Sequence, residues 1–328
     1  MIPADDQPSA APDGARGPLR RRRWAATAAA LTMTAALGAC SGEPPADQQS
    51  GSSGGAPGSS ATGSRLRCFA QADGADPGMS SPERESLGLT LIASAENSSL
   101  QWEQQYGYIE YNVERNEDEN RGYTGGIVGF TSKTNDMLRL VRQYVAAKPD
   151  DNALASYLPA LAKVDGTSSR SGLDKGFVNA WKSAATDQVF QQAQLNLTNQ
   201  LYFTPALEAA RSDGLGSLGQ FAYMDAIVMH GSGNDENSFT SIRKVARAAT
   251  RPPSEGGDEK DYLSAFLDAR VAAMEREDGH SDTSRVDTAQ RVFLQSGNLS
   301  LRLPLTWKVY GNSYRVLPGN DPQCPTPS

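Results

Sequence analysis

Beyond residue 80, apolar positions recur at helical spacing along most of the chain. Leu87, Leu91 and Ala95 form an i, i+4 stripe with Leu89 and Ile92 beside it, and Ser80-Ser81-Pro82-Glu83 is a helix start. Gly122 to Phe130 has the composition of a turn and a short strand. Asn135-Asp136 caps a helix predicted through Val145, and another is predicted over Ala153 to Val164. The longest pattern runs from about Leu173 to Leu201, with Phe177, Trp181, Ala184 or Ala185, Val189 and Ala193 on one face. At about 1.5 Å per residue such a helix crosses a whole domain. Shorter helices follow at Pro205–Asp213, Leu218–Met229, Lys260–Arg276 and Thr283–Gln295, the first two closed by Gly214 and Gly231. After Gly297 the chain is extended and Pro-rich up to Cys324. The predicted class is mainly α with a small β element.

The pattern before residue 65 is different. Arg20 to Arg23 precede the apolar stretch Trp24–Ala36, which is too short to span a bilayer and has the form of an export signal. It ends in Leu37-Gly38-Ala39-Cys40, which resembles the bacterial lipobox, where the Cys is acylated and becomes the mature N-terminus. An ordinary secretion signal cut nearby is the alternative, and the paired arginines also permit the twin-arginine route. Residues 41–64 are almost all Gly, Ser, Pro, Ala and Gln, the composition of a flexible tether. The predicted organisation is a signal over 1–40, a tether over 41–64 and one folded unit over 65–328. The expected location is extracellular, on the outer face of the membrane.

Charge and cysteine content narrow the chemistry. Net charge is −7, and because residues 1–39 carry five Arg and three Asp, the balance from Cys40 onward is −9. Acidity disfavours nucleic acid and suits a cationic ligand. With Cys40 lipidated, Cys68 and Cys324 remain; in an exported chain they most simply pair, the alternative being two free thiols. With three Cys and two His in all, metal catalysis is not expected, and no cofactor is implied.

Candidate chemistry concentrates between Leu87 and Phe130. Glu96 ends the first apolar stripe. The aromatics Trp102, Tyr106 and Tyr108 follow, then the acidic cluster Glu117-Asp118-Glu119, then Arg121-Gly122-Tyr123-Thr124-Gly125-Gly126. Two carboxylate sites with aromatic and hydroxyl neighbours meet the demands of glycosidic cleavage. Asp225 lies in the apolar run Phe221–Met229, and Arg270 and Arg285 lie in comparable company. Buried charge is costly unless paired, so these three either form an interior network or face solvent. A network reaching Glu96 would tune an acid catalyst. No phosphate loop, HExxH, GxSxG or CxxC motif is present.

At these residues the chain resembles the family 46 glycoside hydrolases, the bacterial endo-chitosanases. The resemblance spans Pro82 to Tyr314 and rests on several blocks in order. They include Ser94-Ala95-Glu96-Asn97-Ser98-Ser99, Arg121 to Gly126, Phe190-Gln-Gln-Ala-Gln, Gly219-Gln-Phe-Ala-Tyr, Asp225-Ala-Ile-Val-Met-His-Gly and Asp282-Thr-Ser-Arg-Val-Asp-Thr. It implies a two-lobed, lysozyme-like fold with a long helix bridging the lobes, and inverting hydrolysis of β-1,4-linked glucosamine chains. Glu96 stands at the general acid, and Asp225, Arg270 and Arg285 at a supporting charge network. Thr124 stands at the hydroxyl that holds the attacking water, and Asp136 at a carboxylate that binds a glucosamine ammonium. Asn97, Ser98, Tyr108, Arg121, Tyr202, Glu277 and His280 match positions lining the cleft. The implied ligands are chitosan and glucosamine oligomers, bound by a monomer.

One departure matters. The family's general base is the Asp of Asp-Gly-Arg-Gly-Tyr-Thr, whereas this chain has Glu119-Asn120-Arg121-Gly122-Tyr123-Thr124 after a loop about five residues longer. Glu119 holds the register and Asp118 is its neighbour. Two other readings stand beside hydrolysis of chitosan: a lipoprotein of the same fold that binds chitosan without cutting it, and a peptidoglycan-cleaving relative.

Overall fold

The computed structural model describes residues 65–72, 74, 76–113, 120–276 and 282–324. The expectations for residues 1–64 (Cys40 among them) and for Asp118, Glu119, Glu277 and His280 lie outside the described residues.

Strand β1 (Leu66–Phe69) leads to helix α1 (Pro82–Glu96). Ser81 caps α1 by accepting from the Arg84 amide at 3.3 Å, and Pro82 occupies the first turn. Helix α1 is buried almost all round, so it runs through the core. A 3-10 turn (Trp102–Gly107) then delivers the chain to β2 (Ile109–Tyr111), β3 (Tyr123–Gly125) and β4 (Phe130–Thr131), an antiparallel sheet in the order β2-β3-β4. Trp102 is buried and donates to Ser86 Oγ at 3.3 Å; it is a core residue.

Helices α2 (Asp136–Ala147), α3 (Leu158–Val164) and α4 (Lys175–Ala184) complete one packing group around Phe177, Trp181 and Phe190. The long pattern expected over 173–201 is not one helix. It breaks at 185–187 because Asp187 caps a new start, accepting from the Val189 amide, while Tyr144 and Lys148 hold its other oxygen. From there α5 (Gln188–Thr198), a π-helical turn (Asn199–Phe203) and α6 (Thr204–Ser212) continue without interruption. This segment, about 37 Å long at 1.5 Å per residue, packs α5 against α2 and α6 against the next helix, α7 (Ser217–His230). It is the bridge between the two halves, displaced in sequence from its expected position.

The second group holds α7, which is buried along its whole length, α8 (Phe239–Ala249), α9 (Glu259–Glu275) and α10 (Arg291–Gln295). The single helix expected over Thr283–Gln295 is in fact a π-helical turn (Val286–Gln290) running into α10. Strands β5 (Leu305–Val309) and β6 (Asn312–Pro318) form a hairpin, with β1 added in parallel to β6. The Cys68–Cys324 disulfide ties β1 to the chain just after β6, the pairing expected of these two cysteines.

Candidate active site

Glu96 is the last residue of α1 and is 9% exposed. A carboxylate in that position needs a partner, and Arg285 supplies it: Nη1 donates to Glu96 Oε1 at 2.9 Å. The same guanidinium turns its other edge to Asp225, with Nη2 on Oδ1 at 2.6 Å and Nε on Oδ2 at 3.2 Å. Arg270 reaches Asp225 Oδ2 at 2.7 Å from the opposite side. The chain Glu96–Arg285–Asp225–Arg270 therefore alternates carboxyl groups with guanidiniums. The three residues singled out by their apolar surroundings meet in space, from α7, α9 and the residue that leads into the π-helical turn Val286–Gln290, and Arg285 touches Glu96.

Burial alone would raise the Asp225 pKa, but Arg285 and Arg270 outweigh it and hold the carboxyl at about 2. Arg285 also loses hydration, yet Asp225 and Glu96 push its pKa above the ordinary arginine value. Arg270 is pulled below that value by burial, with Asp225 opposing. Both guanidiniums stay charged throughout the working range of pH.

The second cluster is built by the small sheet. Thr124 on β3 stands opposite Glu110 on β2 and Thr131 on β4. Directly opposed residues of antiparallel strands share a face, so Glu110, Thr124 and Thr131 form a row. Thr124 is buried, and its Oγ1 has no hydrogen-bond partner among the described residues. Tyr108 OH donates to Glu110 Oε2 at 2.8 Å, fixing that carboxylate beside the hydroxyl. Asp136 joins the row through Thr131: its Oδ1 accepts from the Thr131 amide at 2.8 Å, Thr134 Oγ1 at 2.9 Å and the Met137 amide at 3.0 Å. Asn135, expected to share the cap, is in the left-handed region (φ 69°) and makes no side-chain cap, so Asp136 does that work alone.

The remaining described candidates lie at or near the ends of elements. Asn97 is the C-cap of α1 and Ser98 follows it at φ 52°, exposed. Tyr202 lies in the first π-helical turn and is 5% exposed. Arg121 precedes β3, and its carbonyl accepts from the Lys133 amide. Asn120, one residue earlier, is 1% exposed; its Oδ1 accepts from the Gly122 amide at 2.8 Å and its Nδ2 donates to Tyr111 OH at 3.1 Å. The exit of the extended loop is therefore pinned immediately after Glu119.

Sequence reasoning missed Glu110 and Gln290. Glu110 offered one usable sign, its alternation with Tyr108 ahead of the turn, which puts both side chains on one face of a strand.

Residues 90–305 match the family model described as Glycosyl hydrolase family 46. A chitosanase of Streptomyces sp. (strain N174) is 55% identical over 242 residues, which is 74% of this chain and 85% of that protein. A chitosanase of Bacillus subtilis (strain 168) is 35% identical over 220 residues, 63% of this chain and 77% of that protein. Among solved structures, chitosanase OU01 co-crystallised with substrate superposes with a TM-score of 0.67 at 49% identity, covering 74% of this chain and 99% of that one. A Gynuella sunshinyii chitosanase in complex with chitotetraose superposes at 0.63 with 31% identity, covering 72% and 98%.

Proposed function

The chain belongs to glycosyl hydrolase family 46, and we infer from that premise that it is an endo-acting, inverting chitosanase of lysozyme-like fold. Hydrolysis is thereby favoured over the binding-only and wall-cleaving readings.

Glu96 is the general acid. As it gives its proton to the leaving glycosidic oxygen, negative charge appears on a carboxylate whose Oε1 already faces Arg285 at 2.9 Å, and a preorganised cation stabilises that charge without reorganising. Asp225 takes the other edge of Arg285, so the cation is shared and does not act on Glu96 alone. This contact carries the proposal.

On the far side of the sugar, the Thr124 hydroxyl holds the attacking water and Glu119 removes its proton. Glu119 is supported over Asp118 by its register and by the anchoring of Asn120 next to it. Asp136 binds a glucosamine ammonium, which gives the preference for deacetylated chains. Asn97, Ser98, Tyr108, Arg121, Tyr202, Glu277 and His280 line the cleft. Cys40 carries a lipid anchor, residues 41–64 tether a monomeric catalytic unit to the outer membrane face, and the Cys68–Cys324 disulfide fits that compartment.

The test is incubation of the purified protein with chitosan. Short oligomers of inverted anomeric configuration are expected. Glu96→Gln is expected to lose turnover while still binding glucosamine oligomers; wild-type-like cleavage by that variant would sink the acid assignment. Labelled fatty acid should be incorporated by the exported parent and not by Cys40→Ala.

A further inference from the structure

We propose that Gln290 is a positioning residue for catalysis, the neutral fourth member of the network that holds Arg285 on Glu96. The inference rests on Glu96 being the general acid.

Gln290 is 1% exposed and uses both ends of its amide. Its Nε2 donates to Asp225 Oδ2 at 2.7 Å, and its Oε1 accepts from Arg270 Nη1 at 3.2 Å. The glutamine therefore connects the anion and the cation that lie behind Arg285. Beyond its 2.7 Å contact with Asp225 Oδ2, Arg270 has few other partners: among the described residues its Nε has no hydrogen-bond partner, and its Nη2 makes long contacts to the Asp225 carbonyl at 3.4 Å and Met229 Sδ at 3.5 Å.

The backbone explains how two residues five apart reach the same carboxylate. In an α-helix, positions 285 and 290 would point about 140° apart. The π-helical turn Val286–Gln290 widens the coil and brings them onto one side, so Arg285 grips Asp225 Oδ1 while Gln290 grips Oδ2. A small cavity lined by Ser94, Asp225, Arg285, Gln290, Phe293 and Trp307 lies against this cluster. The direction of the Arg285 guanidinium is set by its hydrogen bonds to Asp225 and Glu96.

Without the Gln290 donor, Asp225 Oδ2 lacks one of its partners and draws Arg285 more fully onto itself. The Arg285–Glu96 contact loosens as a result. Substrate binding does not involve Gln290, so the loss falls on turnover.

Two variants test this. Gln290→Met keeps the shape and removes both hydrogen bonds; kcat on chitosan is expected to fall about tenfold, with KM within about twofold and the alkaline limb of the kcat–pH profile moved. Gln290→Glu is isosteric. Protonated, it donates to Asp225 and accepts from Arg270 as glutamine does; ionised, it sets two carboxylates side by side. Its kcat at the acidic end should approach that of the parent and fall towards the methionine variant as pH rises. Should the methionine variant not fold, the pH-dependent rescue in Gln290→Glu decides alone. Parent-like kcat and pH profile per folded molecule, or a change confined to KM or Tm, overturns the proposal. Glu96→Gln run alongside separates the two failures: if it retains turnover, the acid assignment falls, and if it is inactive while the Gln290 variants behave like the parent, only the role of Gln290 falls.

Discussion

Trp307 donates its indole Nε1 hydrogen to Ser94 Oγ at 2.9 Å, and Ser94 stands two residues before Glu96. The C-terminal hairpin thus braces the helix that ends in Glu96. It also braces the other side of the network, since Ser284 Oγ accepts from the Tyr310 amide and Thr288 donates to the Lys308 carbonyl. One small sheet sets the separation of Glu96 and Arg285.

Trp307→Phe removes the donor while leaving an aromatic ring among Phe293 and Tyr314. A stability loss of about 1–2 kcal/mol is expected. Because the brace ends beside Glu96, kcat should fall a few-fold per folded molecule at constant KM. Unchanged kcat alongside a lower Tm would mean that the brace is structural only.

Asp225 gives a pH signature. Its pKa in the fold is about 2 against an ordinary 3.8, so it stabilises the fold above about pH 4 and loses that contribution as pH falls through 2. The increment is on the order of 2 kcal/mol. Denaturant unfolding of the parent at pH 5, 4, 3 and 2 should show this loss. Asp225→Asn should be less stable at pH 5 by about 3–5 kcal/mol, because a paired buried charge is removed, and its curve should be flatter over that window. Parallel curves would contradict the assignment.

The Cys68–Cys324 disulfide closes almost the whole described chain, with a sequence separation of 256. Loop-closure entropy sets a ceiling of about 5 kcal/mol for its contribution, and the measured value is expected to be lower because β1 is also held by its pairing with β6. Cys68→Ser with Cys324→Ser should lower Tm by several degrees without changing KM. An equal Tm in the parent and the double variant would show that strand pairing alone anchors the ends.

What was legible in the sequence followed the chemistry of burial. Asp225, Arg270 and Arg285 stood out because charges in apolar runs must find each other, and they do. Helices α1, α7 and α9 were legible from their apolar periodicity. Helix α8 was missed although Phe239, Ile242 and Ala246 repeat at helical spacing behind the capping Ser238; only these three of its residues are buried, and Val245 faces solvent. The break at 185–187 depends on Tyr144 and Lys148 reaching Asp187 from α2 and its C-cap, a tertiary cause that no local pattern carries. The parallel pairing of β1 with β6 joins residues some 250 positions apart and was equally hidden. Gln290 was invisible because its role depends on a π-helical turn, which shares the composition of an α-helix.

Asp136 separates charge from structure. The Thr131 amide, Thr134 hydroxyl and Met137 amide that donate to its Oδ1 can be accepted equally by an amide oxygen, so Asp136→Asn should keep Tm within about 2 °C of the parent. Loss of its charge should cost about tenfold in kcat/KM on chitosan, expressed mainly in KM, and less on partly N-acetylated chains. An equal loss on both substrates would remove ammonium binding as its role.

Glu119 and Asp118 are the two candidates for the base. Asn120 is buried and bonded to Gly122 and Tyr111; Glu119 is its neighbour in sequence, and Asp118 is one residue further from that anchor. A general base must place an oxygen within hydrogen-bond reach of water on every turnover, and anchoring favours Glu119. Glu119→Gln is expected to lower kcat by about 10²- to 10³-fold, and Asp118→Asn by less than about threefold. Glu110, held by Tyr108, stands directly opposite Thr124 on the paired strand. Glu110→Gln in the Glu119→Gln background therefore tests for a substitute base. If the double variant loses the residual turnover of the single one, Glu110 supplies it; if Glu119→Gln alone is fully active, the assignment of Glu119 fails.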